Sequence, residues 1–293
     1  MCVRTELEIK VHRDIQSEIL NYYARMEIPY RADVSNPEHT IIDFFAYLCK
    51  TIPVVKRRVE YSDELEKKIH EGKISREQVD NLRKYQKAFE DGKDMNAFLS
   101  NKTSRPDKID FLLYAWHLHH LHLSGKFEAT MKNNRSDTLL LCVVNNDCVY
   151  FVDVIAHPKK AENFFNLHYL EIIKNNNWME HIGFYEIAEM VPGTLEPKIS
   201  RDNDIFAIYS KEAMNISFEF EGKGYCSLDP ITLKRNPSRA TEQMIRINKN
   251  IRKLNDLADD YKKFRFERSK EGFLMGIVEF ENPGNKILEY NIF

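Results

Sequence analysis

The chain opens on a short alternation. In "TELEIKVH", Leu7, Ile9 and Val11 fall opposite Glu6, Glu8 and Lys10, a period of two that predicts a half-buried strand. Helical spacing follows. "DIQSEILNYYARME" carries Ile15, Ile19, Leu20 and Tyr23 on one stripe, and "EHTIIDFFAYLCKT" is apolar on most faces, with Pro53 just beyond its end. "SREQVDNLRKYQKAFEDG" starts with Ser75 and Gln78 in capping-box spacing and stops at Gly92, a helix C-cap residue. The polar, proline-containing "NKTSRPDK" at 101–108 predicts a boundary.

The middle of the chain is more strongly patterned. "DKIDFLLYAWHLHHLHL" predicts a largely buried helix that ends at Ser124-Gly125. "TLLLCVV" and "CVYFVDVIA", separated by "NND", predict a β-hairpin. "KKAENFFNLHYLEIIKNNNW" returns to helix, with Phe164, Phe165, Leu167, Leu170 and Ile173 for the core. After a polar break at 192–204, short strands are predicted around "DIFAIYS", "NISFEF" and "GYCSL". A helix over roughly 239–265 comes next, then a hairpin from "FLMGIVEF" and "KILEYNIF". Helices and hairpins alternate without a β-α-β rhythm, so the class is α+β. Three regions are expected: a mostly helical 1–104, a central α+β unit over 105–195, and an α+β region over 196–293 with a basic helix.

Composition narrows the functional classes. The 293 residues are 43% hydrophobic and 12% aromatic, enough to build a sizeable core. A net charge of −2 excludes a globally basic nucleic-acid coat and leaves room for local basic patches. The N-terminus has no apolar core of the signal-peptide kind, and no apolar run approaches a membrane span. Five cysteines without a C-x-x-C pair argue against a disulfide framework and a cysteine-based zinc site. The expectation is a cytoplasmic protein with no membrane partner.

Candidate chemistry gathers in "WHLHHLHLSG". His117, His119, His120 and His122 are four of only ten histidines. On a helix, His119 and His122 would share one face and His117 and His120 another. Histidine both accepts and donates a proton near neutral pH, which suits acid–base catalysis. On a straight strand "CVYFVDVIAH", Val149, Phe151, Asp153, Ile155 and His157 would share a face, with Tyr150 on the other. An aspartate among valines calls for a partner. Arg135, before the hairpin, has the planar fork that clamps phosphate. A metal site would draw on His119, His122, Asp153 and His157, but no H-E-x-x-H, paired-cysteine or EF-hand spacing accompanies them. No Walker loop, Rossmann fingerprint, G-x-S-x-G elbow or kinase signature is present, and no cofactor is expected.

The order of helix, "LSG", polar loop with Arg135, "TLLLCVV", short turn and "CVYFVDVIAH" resembles the core of bacterial toxin ribonucleases of the RelE and ParE kind, over roughly residues 108–160. In that family, helices lead to a "G…R" loop and then to a meander of strands ending in a basic or histidine residue. This chain is longer than such toxins, has His157 where Arg or Lys is common, and adds the histidine cluster. The resemblance implies metal-independent RNA cleavage. Base and acid would be two of His119, His122 and His157, Arg135 would stabilise charge on phosphorus, and Asp153 would belong to the same site.

A second feature is basic. Lys234, Arg235, Arg239, Arg246, Lys249, Arg252 and Lys253 stand against a single acid, Glu242. Arg239, Arg246, Lys249 and Lys253 fall on one helix stripe that, with Lys234 and Arg235, suits phosphate tracking. The leading expectation is thus a cytoplasmic ribonuclease of a toxin or phage-defence system, with RNA as substrate and a protein partner such as an antitoxin. The alternatives are a non-catalytic nucleic-acid- or protein-binding α+β module and a metal-dependent hydrolase built on the histidines.

Overall fold

The structure is a computed structural model that describes residues 5–100, 103, 105–127, 134–159, 166–195, 198–200, 202, 217–227, 238–269, 274–281 and 287–291. The fold is α+β, with three small sheets among the described residues. The chain divides into two compact units. One comprises the described residues of 1–49, 104–107 and 238–293, the other those of 50–103 and 108–237.

The first unit joins the two ends of the chain. Its helices are α1 (Glu6–Arg25), α2 (Pro37–Lys50, less its last residue) and α7 (Ser238–Lys253). Strands β8 (Tyr261–Arg268), β9 (Leu274–Glu281) and β10 (Ile287–Asn291) form an antiparallel sheet in the order β10-β9-β8. The strand expected at "TELEIKVH" is instead the first two turns of α1. Thr5 caps it: its side chain accepts from the Glu8 N–H, and the Glu8 carboxylate accepts from the Thr5 N–H. Leu7, Val11, Ile15 and Ile19 recur every four residues and are buried, whereas Ile9 is exposed, so the local alternation was incidental to a longer helical period. The helix expected over 239–265 stops at Lys253. A 3-10 segment at 255–260 then leads into β8, where Phe264 and Phe266 face the core while Arg265 pairs with Glu267, Glu279 and Glu289. Of the predicted closing hairpin, the β9–β10 pairing is present.

The second unit is built on a four-stranded sheet in the order β1-β4-β3-β2. Its strands are β1 (Arg58–Tyr61), β2 (Leu118–His122), β3 (Thr138–Val144) and β4 (Cys148–Ala156). The β3–β4 hairpin is present as expected, and β1 lies parallel to β4 at the edge. One face of the sheet packs Leu121, Leu140, Cys142, Val149 and Phe151 against α3 (Asp63–His70) and α4 (Arg76–Asp91) through Leu65, Leu82, Tyr85 and Phe89. The other packs Leu118, Leu141, Val143, Tyr150 and Val152 against α5 (Phe111–Trp116) and α6 (Leu167–Asn175). This second layer also holds a small sheet in the order β5-β7-β6, from β5 (Phe184–Glu186), β6 (Ser217–Phe220) and β7 (Lys223–Ser227). Phe164, Phe165 and "DIFAIYS" lie outside the described residues.

Helix α4 matches its sequence signals. Ser75 and Gln78 form the capping box, and Gly92 ends the helix at φ 68°. A Cβ at Gly92 would sit 3.0 Å from the Lys56 backbone nitrogen, so both conformation and space demand glycine there. Tyr85 anchors α4 to the end of β2: its hydroxyl donates to the His122 carbonyl at 2.5 Å and accepts from the Ser124 N–H at 3.1 Å. Tyr85→Phe removes both contacts and leaves the Ser124 N–H and the His122 carbonyl only their mutual bond at 2.9 Å, and is expected to cost about 0.5–1.5 kcal/mol, read by urea unfolding. A loss within a few tenths of a kcal/mol would show that the hydroxyl bridge is not needed.

Candidate functional site

The histidine run is not helical. Helix α5 ends at Trp116, and His117 takes the left-handed conformation at φ 52°, its N–H bonded to the Leu113 carbonyl. From Leu118 the backbone is strand β2, so the side chains alternate with period two. In register with β3, His119 opposes Cys142, His120 opposes Leu141 and His122 opposes Leu139. His119 therefore points to the α3/α4 face, and His120 and His122 to the opposite one. His119 and His122, paired on one helical face by the sequence reading, are separated by the sheet itself.

A bulge in β4 changes the second half of that reading. Leu141 pairs with Asp153 while Cys142 pairs with Phe151, so Val152 is the additional residue. Alternation is reset there. Val149 and Phe151 face α3/α4, whereas Asp153, Ile155 and His157 join the face of Leu141 and Tyr150. The straight-strand expectation that Phe151 and Asp153 share a face fails for this reason.

These two corrections bring His122 and His157 together. Strand β3 separates their strands, and the rings stack across it with centroids 5.4 Å apart and planes at 23°. His122 is nearly covered, whereas His157 is exposed. Nδ1 of His122 lies 2.8 Å from the Ser136 carbonyl and 3.3 Å from its N–H. The shorter contact requires a proton on Nδ1, which leaves Nε2 as the lone-pair nitrogen. Burial pulls the His122 pKa below the ordinary histidine value, against the raising effect of the Ser136 contact. The cationic forms of His157 and Arg135 lower it further. Arg135 is exposed on the loop that carries Ser136. Nδ1 of His157 lies 2.9 Å from the Pro158 carbonyl.

The remaining sequence candidates lie elsewhere. His119 is buried, and burial pushes its pKa down to about 4, so it stays neutral and enclosed at pH 7. His120 faces Asp110, the N-cap of α5, with 3.8 Å between Nδ1 and Oδ2. Asp153 is buried, and Lys68 of α3 donates to both of its oxygens at 2.7 and 2.6 Å. The Val154 N–H donates to it as well, at 2.8 Å. Asp153 lies four residues from His157, roughly 13 Å along an extended strand. It acts as an anchor between α3 and β4 and stands apart from the histidine pair. The four residues proposed as metal ligands thus do not meet on one face, and no group of three or more His, Cys, Asp or Glu with metal-holding geometry occurs among the described residues.

In the first unit, Arg239, Arg246, Lys249 and Lys253 are exposed on α7, while Arg252 donates to the buried Glu8 carboxylate at 2.7 Å. Lys234 and Arg235 lie outside the described residues. Sequence reasoning missed Lys68 and Tyr85. The isolated aspartate among valines signalled that a cation was needed without saying which helix would bring it. No described helix is long and apolar enough to cross a membrane. The chain matches no protein-family model, no curated protein and no solved structure.

Two measurements follow from these placements. An imidazole buried neutral charges on unfolding, so between about pH 6.5 and the folded value near 4 the unfolded chain binds more protons than the native one. Stability therefore falls on acidification through that window, by roughly 3 kcal/mol for His119 if its full shift is expressed. Urea unfolding at pH 7.5 and 4.5 should show a smaller drop in His119→Leu, and an equal drop would contradict the assignment. Lys68→Met leaves the Asp153 carboxylate buried without its cation and is expected to cost on the order of 2–4 kcal/mol. The double variant Lys68→Met/Asp153→Leu should recover most of that loss in the same assay.

Proposed function

We propose that the second unit is a metal-independent endoribonuclease in which His122 and His157 are the acid–base pair and Arg135 the charge stabiliser. The observation that carries this reading is the stacking of His122 on His157 beside the Arg135 loop. With His119 enclosed on the other face, these are the two of the three candidate histidines left to act together. Strand β2 stands where the resemblance to RelE- and ParE-like toxin ribonucleases has a helix leading into the "G…R" loop, so the reading rests on the histidine pair and not on the order of elements.

The roles follow from the hydrogen bonds. His122 holds its proton on Nδ1 toward Ser136, so Nε2 takes the proton of a ribose 2′-hydroxyl. The 2′-oxygen attacks the adjacent phosphorus, and the bond from phosphorus to the 5′-oxygen breaks. His157, as the general acid, gives its Nε2 proton to that leaving oxygen. The products are a 2′,3′-cyclic phosphate and a free 5′-hydroxyl. Arg135 offsets the charge that builds on the phosphoryl oxygens. The reaction as written requires no cofactor. The reading carries with it a cytoplasmic toxin or phage-defence role, with RNA as substrate and a protein partner such as an antitoxin to restrain it.

The test is cleavage of a labelled RNA by purified protein in the presence of chelator. His122→Ala and His157→Ala should each lower the rate by about 10²–10⁴-fold while the thermal melt persists. Arg135→Ala should lower it by about 10²–10³-fold. Activity abolished by chelator and restored by zinc or manganese would favour the metal reading. Salt-sensitive RNA binding with no cleavage would favour the binding-module reading, for which the exposed cations of α7 speak.

A further inference from the structure

Helix α4 turns a basic face outward along an open groove of about 460 Å³ in the second unit. Arg83, Lys84 and Lys87 line it from the helix, Lys93 from just beyond the Gly92 cap, and Phe127 from the segment after β2. Asp91 is the only carboxylate among the described lining residues, and it is already engaged. Lys87 donates to it at 2.9 Å, and this bond, with Lys93 and Lys56 nearby, holds its carboxyl below the usual range. The groove therefore presents an excess of cations around a mostly apolar floor.

Phe127 gives the groove its second property. It is 47% exposed, unusual for so large an apolar ring, yet it is held in place. It packs edge-on against Tyr85 at 5.4 Å and Phe98 at 4.9 Å between ring centroids. A fixed, half-exposed aromatic beside cations one helical turn apart is the arrangement that binds single-stranded nucleic acid. The ring stacks a base of any identity while the cations follow the phosphates. An acidic peptide would use the cations and leave the ring without a stacking partner.

The groove is also tied to the histidine pair. Tyr85, on which Phe127 packs, bonds the His122 carbonyl, and Phe127 follows His122 by five residues. From these observations we infer that the α4–Phe127 groove binds single-stranded RNA through base stacking on Phe127 and phosphate contacts to Arg83, Lys84, Lys87 and Lys93. The choice of RNA rests on the ribonuclease reading, whereas the binding of a single strand does not.

The experiment uses the full chain and a fluorescein-labelled single-stranded oligonucleotide with 2′-O-methyl groups throughout, which cannot undergo 2′-hydroxyl attack. Fluorescence anisotropy should report binding that weakens as salt rises. Phe127→Ala should weaken it about tenfold, and Phe127→Trp, which keeps a stacking face, should retain it. Lys84→Glu/Lys87→Glu should weaken it at least tenfold and flatten the salt dependence. Arg13→Glu/Arg25→Glu, exposed on α1 and outside the groove lining, is the charge-matched control and should change it less than twofold. The inference is overturned if the oligonucleotide does not bind, or if Phe127→Ala and Lys84→Glu/Lys87→Glu bind as wild type. It is equally overturned if an acidic peptide of matched charge binds as tightly and loses as much with Phe127→Ala. Binding lost in the groove variants of a protein that cleaves no RNA upholds the groove and removes the catalytic reading. RNA cleavage that persists unchanged in those variants does the reverse.

Discussion

The register of three adjacent strands is the constraint on which the candidate site depends. Strand β3 lies between β2 and β4, with Leu139 paired to His122 on one side and Ile155 on the other. That register sets His122 and His157 on one face at the same end of the sheet, close enough for their rings to stack. A slip of one residue in either pairing would send one imidazole through to the α3/α4 side. The bulge at Val152 belongs to the same constraint. Without it, the alternation that buries Val149 and Phe151 against α4 would carry His157 to that side as well.

The layers on the two faces then assign different work to chemically similar residues. Toward α3 and α4 the sheet is closed, and His119 is held neutral there by burial. On the other face, His122 is covered but oriented by Ser136, and His157 is open to solvent. Two histidines three residues apart in sequence are thus both covered, and what separates them is the exposed imidazole of His157 stacked on His122. Tyr85 links the closed side to this end of the sheet, since the hydroxyl that anchors α4 holds the backbone of His122 and Ser124.

Much of the local structure was legible in the sequence, and the failures share a cause. The β3–β4 hairpin, the α4 capping box and the Gly92 cap were marked by turn residues or by side chains that bond nearby backbone. Strand β2 was misread because both of its faces are covered. "LHHLH" then shows neither clean alternation nor a solvent side, and a short apolar run of that kind reads equally as buried helix. "TELEIKVH" failed the opposite way: three alternating apolar residues outweighed the Thr5–Glu8 cap that starts α1. At the site, the residue types were legible and their grouping was not. The bulge in β4 leaves no mark in "CVYFVDVIAH", and a partner that arrives from a distant helix, as Lys68 does, has no fixed spacing to Asp153.

The central claim is that His122 and His157 move protons between a ribose hydroxyl and a departing oxygen. The end groups of cleaved RNA test this most directly. Incubation of a defined RNA with the purified protein in chelator should give fragments bearing 2′,3′-cyclic phosphate and 5′-hydroxyl ends, and a single 2′-deoxy substitution at the scissile nucleotide should block the cut. Fragments ending in 3′-hydroxyl and 5′-phosphate, or cleavage indifferent to the 2′-deoxy substitution, would contradict it.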